Sequence, residues 1–335
     1  MSSYSVFVTI RLITPLNRTI TYSPAYTLVP TYECFNRCSY CNFRVQPGED
    51  TWLTVNEAKS RLIGRKVIEV LILSGEVHPE SSRRLAWFKR IYELCQLALQ
   101  TGFLPHTNAG PLSFEEMGRL KQVNVSMGLM LEQLTPTLMQ GVHRHAPSKQ
   151  PQLRLEQLKW AGQLRIPFTT GLLLGIGETE TDWEESLDEI ATLQTKYEHI
   201  QEVILQPHQP GKRQTVPGPS FDDEKLLMAV KLARQILPES ITIQIPPNLV
   251  QSSERLIHCL DAGVRDLGGL VPLDEVNPSY PHHQLETLSQ LLHNHGYQLQ
   301  PRLPVYPQYD SWLPPSLQTK VQSWRARLDL NGMDY

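Results

Sequence analysis

The stretch Thr27-Leu28-Val29-Pro30-Thr31, followed by Cys34-Phe35-Asn36-Arg37-Cys38-Ser39-Tyr40-Cys41, joins a short apolar run to three closely spaced thiols. A brief, near-continuous apolar run is the pattern of a strand buried on both faces. Glu33, Asn36, Arg37 and Ser39 make the next segment polar, so it reads as a loop. In a parallel α/β barrel such a loop falls at the rim where active sites form. Three thiolates can hold three irons of a cubane cluster and leave the fourth iron open. Structural zinc takes four ligands, often as two separated pairs, and the spacing here is not pairwise. Cys34, Cys38 and Cys41 are therefore expected to ligate a 4Fe-4S cluster. Cys95 and Cys259 lie on the apolar sides of helical stretches and read as buried, inert thiols.

Working outward, apolar runs recur at 68–73, 103–107, 123–131, 168–174, 202–206, 241–245 and, more faintly, 264–267. Between them, 84–99, 152–161, 223–237 and 285–292 carry apolar residues at helical spacing. Thr54 with Glu57, Ser113 with Glu116 and Thr181 with Glu184 have capping-box spacing. Eight strand–helix repeats predict an α/β fold, a TIM-type (β/α)8 barrel. A six-stranded (β/α)6 barrel with a C-terminal extension is the alternative, since the eighth strand has the faintest signal. The expected division is an N-terminal extension over 1–26, a barrel domain over 27–296 and a tail over 297–335 packed on the barrel. The Pro- and Gly-rich loop 207–220 should lie at the catalytic rim.

Bulk composition narrows the partners. Of 335 residues, 40% are hydrophobic and 19% charged, and the net charge of −3 offers no broad positive field for nucleic acid or an acidic membrane. No window supplies the roughly 20 apolar residues of a membrane span. The mildly apolar segment Met1–Ile13 is interrupted by Arg11 and lacks a small-residue cleavage site, so it reads as mature protein and the cytoplasm is the expected location.

The CxxxCxxC spacing with an aromatic, Tyr40, before the last cysteine resembles the signature of the radical S-adenosylmethionine (SAM) superfamily. Ser74-Gly75-Glu76 resembles its GGE motif, which holds the SAM amino group. Gly171-Leu172-Leu173-Leu174-Gly175-Ile176-Gly177-Glu178 resembles its GxIxGxxE element, whose backbone, here at Gly175 and Gly177, packs on adenine. Glu132 resembles the carboxylate that binds the ribose hydroxyls, and Arg154 an arginine that pairs with the SAM carboxylate.

A narrower resemblance runs along nearly the whole chain. The segments 22–26, 71–79, 105–110, 126–132, 143–149, 201–208, 274–278 and 302–306 are similar to the 7,8-didemethyl-8-hydroxy-5-deazariboflavin (FO) synthases, CofG-type subunit. That resemblance implies a radical SAM lyase. It would cyclise an adduct of a tyrosine-derived hydroxybenzyl group and 5-amino-6-ribitylaminouracil to FO, with loss of ammonia. It also implies a 4Fe-4S cluster and SAM as cofactors, and reduced ferredoxin or flavodoxin as electron donor. The sister CofH-type subunit would supply the adduct, in transient contact with this chain. Phenol, uracil and ribityl groups are neutral, so polar uncharged side chains are expected around them. His78, His106, Asn108, His208 and Asn248 stand at strand ends by this reading. His143 and His145 sit with Arg144 and Lys149 in a basic loop and read as surface or loop residues. The competing functions are the CofH-type subunit itself, a menaquinone-pathway radical SAM enzyme and, more distantly, a non-enzymatic metal-binding module.

Overall fold

The computed structural model describes residues 18–215 and 218–331, and the segment Met1–Ile13 lies outside them. Eight parallel strands close on themselves: β1 Arg18–Leu28, β2 Glu69–Leu73, β3 Leu104–Asn108, β4 Ser126–Gly128, β5 Phe168–Leu174, β6 Ile200–Pro207, β7 Thr242–Gln244 and β8 Val264–Leu270. Each pairs with the next in parallel, and β1 pairs with both β2 and β8 to shut the barrel. The eighth strand is seven residues long, so the six-stranded alternative does not apply.

The helices are α1 Val55–Leu62, α2 Arg84–Gln100, α3 Phe114–Lys121, α4 Pro151–Gln163, α5 Glu180–Tyr197, α6 Asp223–Ile236, α7 Ser253–Asp261, α8 Leu285–Asn294 and α9 Pro315–Asn331. Capping boxes start α1 at Thr54/Glu57 and α3 at Ser113/Glu116, as the spacing predicts. For α5 the box is Thr179/Asp182, two residues earlier than Thr181/Glu184. Asp182 does the work expected of Glu, and the Glu178 carboxylate accepts from the Gly175 and Ile176 N–H groups, which fixes the chain just ahead of the cap.

Two boundaries differ from expectation. The first strand begins at Arg18, so residues 18–26 belong to the barrel wall and not to an extension. Its first half alternates Thr19, Thr21 and Ser23 with apolar residues, which hides it from a search for continuous apolar runs. A ninth strand, β9 Tyr297–Pro301, pairs in parallel with the lower half of β1. The chain then crosses beneath the barrel, where Leu303, Val305, Tyr309, Leu317 and Val321 pack against Ile68, Leu104 and Val125 at the strand starts.

Candidate radical SAM site

The loop after β1 carries Cys34, Cys38 and Cys41 and is anchored by its backbone. Phe35 N–H donates to the Glu76 carbonyl at 3.0 Å, Arg37 N–H to His145 O at 2.7 Å and Ser39 N–H to Val142 O at 3.0 Å. Gly75 lies so close that an added Cβ would meet the Glu33 carbonyl at 2.1 Å, so only glycine lets the second rim loop approach the first. From the far side, Arg213 N–H donates to Asn42 Oδ1 at 3.3 Å and Thr215 N–H to Ser39 O at 3.0 Å. The Pro- and Gly-rich loop thus sits at the rim, against the thiol loop. Burial pushes the Cys34 thiol up to about 11 and the Cys38 thiol up to about 12. A bound cation would reverse that preference by stabilising thiolates. Among the described residues, no three His, Cys, Asp or Glu side chains converge to grip a single metal ion. Cys41 lines the pocket at the loop's edge, and three thiols on one loop suit a cluster in which each ligates a different iron.

That pocket is lined by Tyr40, Cys41, Ser74, Glu76, Glu132 and Arg154, which brings most of the expected SAM residues to one place. Glu76 is held from three sides. Asn36 Nδ2 donates to it at 2.8 Å, the Ser148 hydroxyl donates to the same oxygen, and Arg154 Nη2 lies 3.5 Å from the other. Gly110 makes room for it, since a Cβ there would meet the Glu76 side chain at 2.4 Å. Glu132 adopts φ 67°, a left-handed conformation that costs a non-glycine residue about 1–3 kcal/mol and recurs at functional sites. Burial pushes its carboxyl up, but Lys149 and Arg154 outweigh that and hold it below the usual range. Arg154 is 1% exposed and donates to Met130 O at 2.5 Å and Ser148 O at 3.1 Å.

Several expected placements change. Gly175 and Gly177 line a separate outer cleft with Phe221, away from Glu76. Ile176 between them turns inward instead and packs with Leu138 and Leu173 beside Tyr40. His143 is not a surface residue. It is 2% exposed, and its Nε2 meets the Tyr40 hydroxyl at 2.9 Å. Burial depresses the His143 pKa to about 4 and raises that of Tyr40, so a neutral imidazole and a protonated phenol share this hydrogen bond. Lys149 likewise faces the pocket and pairs with Glu132, while His145 is exposed as expected. The signal for Ser148 and Lys149 was available in the 143–149 segment, where the charges alone suggested a solvated loop.

Below this pocket lies the barrel lumen. Leu73, Asn108, Met130 and Val276 line both spaces, so the two cavities adjoin. His106 and Asn108 face the lumen, and Asn248 closes its upper side, donating to Asp274 at 2.9 Å and to the Tyr280 carbonyl at 2.8 Å. His208 borders the upper pocket. His78 does not join them. It is exposed, accepts from the Glu80 N–H at 3.2 Å and packs edge-on against Phe35. Nor is the lumen uncharged: Glu69, Glu202 and Arg302 line it, and Asp266 pairs with Arg302 beneath. A charged residue inside an apolar strand, as at Glu69, was the visible clue.

The Radical SAM superfamily profile matches residues 28–190. A 7,8-didemethyl-8-hydroxy-5-deazariboflavin synthase of Nostoc sp. is 63% identical over 314 residues, covering 93% of this chain and 93% of that one. Another, from Synechocystis sp., is 64% identical over 305 residues, covering 90% and 97%. Among solved structures, the FeFe-hydrogenase maturase HydG from Carboxydothermus hydrogenoformans superposes with a TM-score of 0.70 at 18% identity, covering 94% of this chain and 80% of that one. Methylornithine synthase (PylB) gives 0.65 at 16%, covering 89% and 87%. At such identity these two attest the barrel alone. The chain is a member of the radical SAM superfamily and, within it, of the 7,8-didemethyl-8-hydroxy-5-deazariboflavin synthase family.

Proposed function

We propose that this chain is the cyclising half of FO synthesis, the CofG-type subunit, a lyase that closes the hydroxybenzyl–ribitylaminouracil adduct to FO with release of ammonia. The observation that carries this reading is that the lumen shares a wall with the pocket beside the three-cysteine loop, in a chain about 63% identical to named FO synthases. Cys34, Cys38 and Cys41 would hold a 4Fe-4S cluster. Glu76, steadied by Asn36 and Ser148, would receive the SAM ammonium. Lys149 and Arg154 suit its carboxylate and Glu132 the ribose hydroxyls, with Ile176 against the adenine. When bound, cluster and SAM supply a 5′-deoxyadenosyl radical.

The remaining work falls to the protein. Leu73 and Met130 at the shared wall hold the substrate carbon skeleton and keep water from it. Asn108 and Asn248 offer hydrogen bonds to the uracil edge; Asn248 Oδ1 is buried with no partner, an acceptor open to a ring N–H. His208, whose Nδ1 is also buried without a partner, stands at the upper pocket. Reduced ferredoxin or flavodoxin would deliver the electron.

One CxxxCxxC motif fits one radical event, so the sister CofH-type enzyme would make the adduct. Reconstituted under anaerobic conditions, the protein should form fluorescent FO and 5′-deoxyadenosine from the adduct, or from tyrosine and 5-amino-6-ribitylaminouracil once the sister enzyme is added. Cys38→Ala should lose FO and iron together, and Cys95→Ala should keep both. FO made from tyrosine by this chain alone refutes the assignment. Adduct made without FO makes it the sister subunit.

A further inference from the structure

The lower lumen is layered. β2 points Glu69, Leu71 and Leu73 inward from bottom to top, and β6 points Glu202 and Ile204. Register sets Thr169 beside Glu202 and His106 beside Leu71. Along the strands, apolar and amide side chains therefore stand above, and Glu69, Glu202 and Arg302 form the floor; Asp274, Glu275 and His282 line the upper end from the loop after β8, where Asp274 is engaged by Asn248 and Glu275 by the Tyr32 hydroxyl.

The floor accepts hydrogen bonds more than it gives them. Ser126 donates its one hydroxyl proton to the Pro304 carbonyl at 2.5 Å, an atom that can only accept. His106 Nδ1, 2.7 Å from the same hydroxyl oxygen, must then carry the proton. Its Nε2 is left as a bare acceptor facing the space opened by Gly128, where a Cβ would stand 3.0 Å away. Burial depresses the His106 pKa to about 3, which keeps the ring neutral. Among the described residues, the hydrogen-bond donor to Glu69 is the Ser23 hydroxyl. Arg302, the one Lys or Arg among the described lining residues, is already engaged: Nε and Nη2 with Asp266 at 2.6 and 2.8 Å, Nη2 also with Glu202, and Nη1 with Leu303 O at 3.1 Å.

We propose that this floor, with Glu69 and His106 as its free acceptors, binds the polyhydroxy chain of the substrate and rejects the same chain carrying a terminal phosphate. The inference rests on the FO reading above and adds an orientation, hydroxylated chain down and aromatic rings up at the mouth. A polyol brings several O–H donors to a surface with surplus acceptors, and its C–H groups lie on Leu71 and Ile204. A phosphate dianion would meet carboxylates with no uncommitted cation beside them, a desolvated like-charge contact.

The test is equilibrium binding to the anaerobically reconstituted holoenzyme, read by fluorescence anisotropy. Three deazaflavins serve as probes: FO, FO phosphorylated at the end of its ribityl chain, and the same ring with methyl in place of ribityl. FO should bind the wild type about 10–100-fold more tightly than either of the others, the range expected for hydrogen bonds to charged groups. Glu69→Gln, which is isosteric and uncharged, should narrow the gap between FO and its phosphate by about tenfold. Equal affinity of the wild type for all three overturns the proposal without recourse to any variant. So does an unchanged phosphate-to-polyol ratio in a folded Glu69→Gln protein. Turnover keeps the two readings apart: FO formed from the adduct with no chain preference sinks only the floor assignment, and neither turnover nor FO binding sinks both.

Discussion

Glu76 shows how much of one residue's role is set by its neighbours. Its sequence context, at the end of β2, is enough to suggest an ammonium partner, but the carboxylate is useful only because Asn36, Ser148 and Gly110 fix where it points. None of those three supports is adjacent in sequence, so a one-dimensional pattern cannot supply them. Glu76→Gln keeps the shape and the room left by Gly110 while removing the charge. We expect SAM affinity to fall by about 1.5–3 kcal/mol, the worth of a hydrogen bond to a charged group, with iron content unaltered. Calorimetric titration of SAM into the reconstituted variant measures this, and an unchanged affinity removes Glu76 from the ammonium site. His143 makes the converse point. A histidine between Val142 and Arg144 reads as solvated, and only the fold reveals that Tyr40 needs its Nε2.

At the scale of elements, the strands with continuous apolar runs were legible, because burial on both faces leaves no other pattern. β1 was legible only in its second half, and β9 was missed within the Pro-rich tail. The tail's role was hidden for a physical reason: its value lies in one long side chain reaching up between strands. Arg302 enters the barrel from below and neutralises Asp266 and Glu202, both buried. Burial still holds the Glu202 carboxyl up near 7, because several carboxylates share one guanidinium. Arg302→Met keeps the packing volume but leaves those carboxylates unpaired. The expected loss is about 3–5 kcal/mol, the cost of breaking a buried pair from one side. Arg302→Lys should recover part of it, though without the bidentate contact to Asp266. Urea denaturation of the three proteins decides the matter. A Met variant as stable as the wild type would show that the tail is held by its apolar contacts alone.

Across the whole molecule, the buried ionisable groups predict how stability varies with pH. Burial depresses His106 to about 3 and both His143 and His199 to about 4, against 6.5 when unfolded. Between pH 6.5 and 4 the unfolded chain therefore takes up protons that the folded chain refuses, so stability is full above 6.5 and falls as the solution is acidified. Glu202 acts in the opposite sense. Raised to about 7, it keeps a proton that the unfolded chain releases above 4.5, and Glu69 is raised by burial in the same direction. His208 and His282 are held low by burial as well, and Asp223 is raised with the two glutamates, so the histidines outnumber the carboxyls and stability falls as the pH drops from 6.5 to 4.5. Below 4.5 the carboxyl offset ends and the decline steepens, since Glu132, held low by Lys149 and Arg154, then begins to lose its ion pairs. The urea midpoint should thus be lower at pH 5 than at pH 7. His199→Phe, placed among the rings of Phe168 and Tyr197, should flatten that difference by close to one proton's worth. A midpoint that rises on acidification would mean that the lumen carboxyls, and not the buried histidines, govern the titration of the fold.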